Sequence, residues 1–117
     1  MVQGLHHIAI IVSDSKAIDF YRKLGFEEKQ RIARPERNDE IVLMEGCGIM
    51  LEIFIDASHP ARADKPENLG LRHIAFKVDD VEKLCKEFDC EEIKTDWNGV
   101  KFTFTKDPDG LPVELHE

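Results

Sequence analysis

Two stretches of the chain share one pattern of apolar and polar positions. The first runs from His6 to Val12 and reads HHIAIIV, and the second runs from Arg72 to Val78 and reads RHIAFKV, 66 residues further along. In each stretch every second residue is a bulky aliphatic or aromatic side chain, which is typical of a strand buried on one face. The pattern therefore predicts two equivalent strands, each with a histidine near its start.

An amphipathic helix is predicted after each of these strands. Apolar residues recur at spacings of three and four within residues 15–24 and again within 80–89, which is the pattern of a helix with one buried face. Three shorter extended runs follow each helix. These predicted strands are 26–33, 39–45 and 49–55 in the first half, and 91–95, 100–106 and 111–115 in the second.

The two halves therefore form a repeat of strand, helix and three strands. A glycine-containing turn joins the last two strands of each half, and superposing these turns places Glu52 on Glu114. We predict an α+β fold in which two βαβββ modules form a cup-shaped mixed sheet with helices on the outer face. Neither half is long enough to be stable alone, so one domain is expected. Its parts are module one at about 1–56, a linker at about 57–69 and module two at about 70–117.

Strand alternation puts two histidines and two glutamates on the faces opposite to the bulky aliphatic residues. These four residues are His7, Glu52, His73 and Glu114. The aliphatic faces are expected to pack on the helices, so the other faces, where Ala9 and Ala75 leave room, are expected to line a concave space. Taken singly, each residue has a structural interpretation as a hydrogen-bonded strand residue. Together, two imidazoles and two carboxylates suit Ni, Co, Zn, Mn or Fe(II), and a divalent ion removes the cost of burying two carboxylates.

The composition limits the classes of molecule that the chain is expected to bind. The chain has 117 residues, 42% apolar and 34% charged, which is the balance of a folded domain. The net charge of -8 repels phosphate backbones, so nucleic acid is not expected as a partner. No apolar run is long enough to cross a bilayer, and the start lacks the features of a signal peptide. We therefore expect a cytoplasmic protein that binds a small molecule, without nucleic-acid or membrane partners.

The residues HIAIIVSDSKAIDFYRKLGF, LEIF, LRHIAFKVDD and DPDGLPVELHE together resemble the vicinal-oxygen-chelate superfamily, which includes glyoxalase I and bleomycin-resistance proteins. The resemblance covers essentially the whole chain. That family builds a cup-shaped sheet from βαβββ modules and places metal ligands on the first and last strands of each module, which implies the same four ligands. The set His-Glu-His-Glu is similar to that of glyoxalase I. The resemblance thus implies a lactoylglutathione lyase-like enzyme, a lyase or isomerase, with one divalent ion per site, Ni, Co or Zn before Mn or Fe.

The resemblance also implies the catalytic residues. In glyoxalase I a ligand carboxylate takes a proton from carbon and a carboxylate returns it to the neighbouring carbon, which here implies Glu52 and Glu114 without specifying their order. Bacterial glyoxalase I holds a glutathione carboxylate with an arginine and an asparagine, and the matching positions here are Ile11 and Asp56. The thiol carried by the substrate therefore stays open. A homodimer is expected because the family often forms one.

Four further residues are predicted to bind the substrate: Lys101, Phe54, Lys77 and Arg34. Lys101 would face the site if Phe102 and Phe104 face the helices. Phe54 shares the face of Glu52, and Lys77 takes the position that the repeat relates to Ile11. Arg34 flanks a loop at the mouth of the expected cup.

Two other functions remain as alternatives. The same cup can serve as a metal-free binding or sequestering protein of the bleomycin-resistance type, although such members usually lack the full ligand set. A metal-dependent dioxygenase or thiol transferase is the other alternative. Glu52 argues against it, since a fourth protein ligand takes the position that oxygen or a thiol needs.

Overall fold

The computed structural model describes residues 1–117 as two compact units, Met1–Pro60 and Ala61–Glu117. Each unit follows the order strand, helix and three strands, so the predicted α+β class and the repeat are confirmed. The first unit contains β1 Ile8–Val12, α1 Lys16–Lys23, β2 Glu27–Arg34, a 3-10 turn Pro35–Arg37, β3 Asp39–Gly46 and β4 Ile49–Ile55. The second contains β5 Ile74–Lys77, α2 Val81–Leu84, β6 Lys94–Thr95, β7 Lys101–Lys106 and β8 Pro112–His116.

The two sheets have equivalent strand orders, β1-β4-β3-β2 and β5-β8-β7-β6. The first strand of each unit pairs in parallel with the last, and the remaining pairs are antiparallel. This topology brings the start of the first strand beside the middle of the last strand. The predicted histidine and glutamate of each module lie on these neighbouring strands or directly before them.

The core of the first unit comes from alternate strand positions and one helix face. Val42 and Ile53 are cross-strand neighbours and are fully buried, and Ile10, the next neighbour along the same row, is 6% exposed. Helix α1 buries Ile18 and Tyr21 on its apolar face. Burying an aliphatic or aromatic side chain of this size stabilises a fold by about 1.5–3 kcal/mol. The opposite face of this sheet, which we call its open face, carries Glu52 and Phe54.

The second sheet buries two threonines of β7. Thr103 and Thr105 are the cross-strand neighbours of Leu115 and Val113, and all four are buried. Thr103 Oγ1 donates to the Glu91 carbonyl at 2.8 Å, and Thr105 Oγ1 donates to the Asp89 carbonyl at 2.9 Å. These hydroxyls satisfy carbonyls that no strand ladder covers.

The condition under which Lys101 would face the site, that Phe102 and Phe104 face the helices, is therefore not met. Both rings lie on the face of the second sheet that carries Glu114, which we call the open face of that sheet. The register shows this, since Phe102 is paired with His116 and Phe104 with Glu114.

Helix α2 and strand β6 are shorter than predicted. Helix α2 is one regular turn, capped by the Asp80 carboxylate, which accepts from the Lys83 backbone N–H at 3.0 Å. Hydrogen bonds of helical spacing continue irregularly to Phe88, which is buried as its periodicity indicates. Strand β6 has two residues, and the segment before it is held to β7 by the Glu91 N–H, which donates to the Phe104 carbonyl at 2.8 Å, and by the two threonine hydroxyls. Neither helix in the structure has the length and apolar character needed to span a membrane.

Candidate metal and proton-transfer site

The first unit brings His7 and Glu52 together. Strand β1 runs parallel to β4 with Ala9 opposite Glu52, and His7 lies two residues before Ala9 on the same face. His7 Nε2 is 3.7 Å from Glu52 Oε2. The side chains are 38% and 26% exposed, so both reach the surface of the open face. We call this arrangement the first pair.

The second unit repeats the arrangement with His73 and Glu114. Strand β5 is parallel to β8 with Ala75 opposite Glu114. His73 Nε2 is 3.3 Å from Glu114 Oε1, and the two side chains are 23% and 17% exposed. This second pair is therefore closer and more buried than the first. The same imidazole–carboxylate contact at equivalent positions shows that the repeat extends from the backbone to these side chains.

The donor chemistry of the two pairs fits a divalent metal. Each carboxylate is partly buried, and its ion-pair contact is to a histidine, with no lysine or arginine within 4 Å; Arg34 acts on Glu52 only at longer range. A buried carboxylate without a permanent cation is costly, and a bound cation removes that cost. Imidazole and carboxylate together suit the borderline divalent ions. Each unit assembles one pair of ligand-type residues, and within neither unit does the structure group three or more His, Cys, Asp or Glu side chains as a metal site.

The residue before each histidine contacts its ring, which the sequence analysis missed. His6 Nδ1 lies 2.9 Å from His7 Nδ1, and Arg72 Nη1 lies 3.1 Å from His73 Nδ1. A guanidinium can only donate, so Nδ1 of His73 accepts, and the proton of the neutral ring is on Nε2, facing Glu114. A metal-bound imidazole instead donates its second ring N–H to an acceptor, so Arg72 must leave Nδ1 before His73 can bind a metal through Nε2. The signal was present, since His6 and Arg72 occupy equivalent positions of the repeat.

Aromatic rings surround the second pair. Phe104 is the cross-strand neighbour of Glu114, and its ring centroid lies 4.9 Å from that of His73. Phe102 stacks on His116 with centroids 5.9 Å apart. The nitrogens of His116 contact Asp96 Oδ2 at 3.0 Å and the backbone carbonyl of Glu117 at 2.9 Å. His116 is thereby fixed beside Phe102.

The two lysines that were predicted to bind substrate lie on opposite faces of the second sheet. Lys101 Nζ lies 2.8 Å from Glu82 Oε1 of α2, and this contact raises the pKa of Lys101. Lys101 shares the strand face of Thr103, so the expectation that it points toward the site is wrong. Lys77 lies on the open face, is exposed, and is paired in register with His116.

Arg34 and Phe54 lie together on the open face of the first sheet. The Arg34 guanidinium is 5.2 Å from the centre of the Phe54 ring. It also donates to both oxygens of Asp39, at 2.7 and 2.5 Å, which lowers the pKa of the Asp39 carboxyl. Arg34 is therefore positioned near the first pair, with its charge matched by Asp39.

Ile11 and Asp56 occupy the positions at which the resemblance places a carboxylate clamp. Ile11 is 52% exposed on the open face. Asp56 accepts from the backbone N–H of Ser58 at 2.9 Å and from its hydroxyl at 2.6 Å, which holds the pKa of Asp56 below its usual range. An apolar side chain and a carboxylate cannot bind an anionic group between them.

Comparison with known proteins matches nearly the whole chain. Residues 4–115 match the family model described as Glyoxalase/Bleomycin resistance protein/Dioxygenase superfamily. The chain is 40% identical over 126 residues to the uncharacterized protein YwkD of Bacillus subtilis, covering 100% of this chain and 98% of that protein.

Several solved structures are similar to the chain, and two of them are described below. A glyoxalase family protein from Enterococcus faecalis is 42% identical, with 98% of each chain covered and a TM-score of 0.88. The trypanothione-dependent glyoxalase I of Leishmania major is 26% identical, with 99% of this chain and 87% of that chain covered and a TM-score of 0.76. The similarity therefore extends over both units.

Proposed function

Because the chain belongs to the Glyoxalase/Bleomycin resistance protein/Dioxygenase superfamily, as the resemblance implied, we propose that it is a glyoxalase I-like metalloenzyme. It would move a proton between neighbouring carbons of a small oxygen-bearing substrate such as a hemithioacetal. The observation that carries this proposal is the duplicated pair of a histidine and a partly buried glutamate that forms no ion pair with lysine or arginine within 4 Å. The fold shared with a glyoxalase I supports the same chemistry.

The residues proposed to hold the metal are His7, Glu52, His73 and Glu114. Their two carboxylate charges match one divalent ion, and their nitrogen and oxygen donors favour Ni, Co or Zn, with Mn or Fe as further candidates. When bound, such an ion polarises the substrate oxygens and makes the adjacent carbon more acidic.

The two glutamates are proposed to carry the proton. At 26% and 17% side-chain exposure, Glu52 and Glu114 are partly shielded from water and still reach the open faces of their sheets, where a substrate can contact them. Each histidine lies within 3.7 Å of its carboxylate and would restrict where that carboxylate can reach. One glutamate would remove the proton from carbon and the other would deliver it to the neighbouring carbon, as positioned acid–base groups do.

We also propose a cytoplasmic homodimer. Members of this family often form dimers, and a twofold dimer is the commonest oligomer. The three cysteines are free thiols, which suits a reducing compartment. Mixing the His7→Ala and His73→Ala variants decides how the site is built. Activity returns in the mixed dimer only if a site takes its first pair from one chain and its second pair from the other.

The proposed reaction is tested by following exchange of the transferred proton. The metal-reconstituted protein is incubated in D2O with hemithioacetals of methylglyoxal formed from several thiols, and the products are examined by NMR. We expect a thioester product that carries deuterium at the carbon receiving the proton, and we expect a chelator to abolish its formation. Absence of both turnover and exchange with every thiol would contradict the proposal.

A further inference from the structure

The second unit contains a cavity of about 580 Å³, which lies within the usual range for small-molecule sites. One side of the cavity is formed by residues 62–72, the segment that precedes β5, and another by the open face of the sheet. Its apolar lining residues are Ala63, Leu69, Leu71, Phe102, Phe104 and Pro112, of which Leu69 and Leu71 are also largely exposed to solvent. Phe102 and Phe104 meet edge to face with centroids 6.3 Å apart, so they present a continuous aromatic surface.

The cavity adjoins the second pair. Phe104 lines it, opposes Glu114 across the strand pair, and contacts the His73 ring. Arg72 also lines it and donates to His73 Nδ1. A molecule held in the cavity is therefore one side chain away from the second pair, because Phe104 and Arg72 lie between them and neither His73 nor Glu114 lines the cavity. In the first unit the residue opposite Glu52 is also apolar, namely Leu43.

The charges around the cavity are nearly balanced. Five cationic and four anionic side chains line it, against a net charge of -8 for the chain. Arg72 is paired with Glu67 at 2.8 Å, and Lys106 lies 3.8 Å from Asp64. Glu91 and Glu92 offset the remaining cations. A wall with both signs of charge attracts neither an anion nor a cation strongly, because each guest meets like charges as well as opposite ones.

We propose that this cavity binds an uncharged apolar group of the substrate, with an aromatic or alkyl body lying on Phe102 and Phe104. The substrate class is then a neutral aryl- or alkyl-bearing compound rather than the conjugate of a charged peptide thiol. The assignment of the cavity to substrate rests on the proposed function.

A series of neutral probes tests the proposal. The chelator-treated full chain, labelled with 15N, is titrated by NMR with benzyl alcohol, 2-phenylethanol, 3-phenylpropanol and 4-phenylbutanol. We expect the affinity to rise about fourfold per methylene group, the increment for burying one such group. The amide shifts should concentrate in residues 101–106 and 62–72. Both 3-phenylpropanoate and 3-phenylpropylammonium should bind more weakly than 3-phenylpropanol.

Matched aromatic variants locate the binding surface. Phe102→Ala is expected to weaken binding of 4-phenylbutanol roughly tenfold, and Phe102→Leu to weaken it less, because part of the apolar contact is kept. Trp97→Ala is the control, since Trp97 is 94% exposed and does not line the cavity. Its affinity should equal that of the wild type.

Three results would overturn the proposal: no binding, an affinity independent of chain length, or tighter binding of either charged probe than of 3-phenylpropanol. The titration contains no metal and no turnover. A failure of the metal-dependent reaction therefore leaves the binding result intact, and a failure of probe binding leaves the reaction test intact.

Discussion

Replacing Glu114 with glutamine is expected to lower kcat/KM of the metal-loaded enzyme by roughly 100- to 10,000-fold, the usual contribution of a positioned acid–base group. The amide keeps the size of the side chain and its proximity to His73, which lies 3.3 Å from the carboxylate. It cannot take up a proton from carbon at neutral pH. The measurement is kcat/KM on the hemithioacetal that the wild type converts fastest.

Comparing Glu114→Gln with the corresponding Glu52→Gln variant shows which glutamate removes the proton and which one returns it. The variant that lacks the base should lose both turnover and deuterium exchange at the substrate carbon. The variant that lacks the returning group should lose turnover and keep exchange. Glu87→Gln is the matched control, because Glu87 is exposed and has no ion-pair partner. Full activity in both site variants would show that neither carboxylate transfers the proton.

Replacing Leu51 with alanine is expected to lower the free energy of unfolding by about 2–5 kcal/mol. Leu51 is fully buried, and its strand β4 lies between β1 and β3 in the first sheet. Truncation removes apolar contacts on both sides and leaves a cavity that the neighbouring strands cannot close. Urea denaturation followed by circular dichroism measures the change.

Leu69→Ala is the control for this stability prediction. Leu69 is fully exposed, so the same truncation should change the free energy of unfolding by less than about 0.5 kcal/mol. Equal losses in the two variants would mean that Leu51 is not part of a close-packed core.

The two pairs could be predicted because they depend on simple periodicities. Alternation along a strand gives the face of each residue, and the repeat relates His7 to His73 and Glu52 to Glu114. The parallel pairing of first and last strands then brings each histidine to its glutamate. Alternation, the repeat and the strand pairing account for each histidine–glutamate pair. That all four residues hold one ion is a further proposal, because each unit by itself supplies only one pair.

The orientation of β7 could not be predicted from alternation, which defines two faces without saying which is buried. Thr103 and Thr105 face inward because their hydroxyls satisfy backbone carbonyls at Glu91 and Asp89. Those contacts join residues 12 and 16 positions apart, so no local pattern reveals them. Once the threonines are buried, Phe102 and Phe104 must line the open face, and the expected role of Lys101 is lost.

Metal content is the most direct test of the central claim that the two histidine–glutamate pairs form a metal site. The protein is purified without a tag or chelators, and metal is measured per chain by elemental mass spectrometry. We expect about one divalent ion per chain, with loss in His7→Ala and in His73→Ala. His59→Ala, which changes a half-exposed histidine outside the pairs, should keep the metal. Absence of metal even after incubation with Ni, Co, Zn, Mn and Fe(II) in turn would contradict the account.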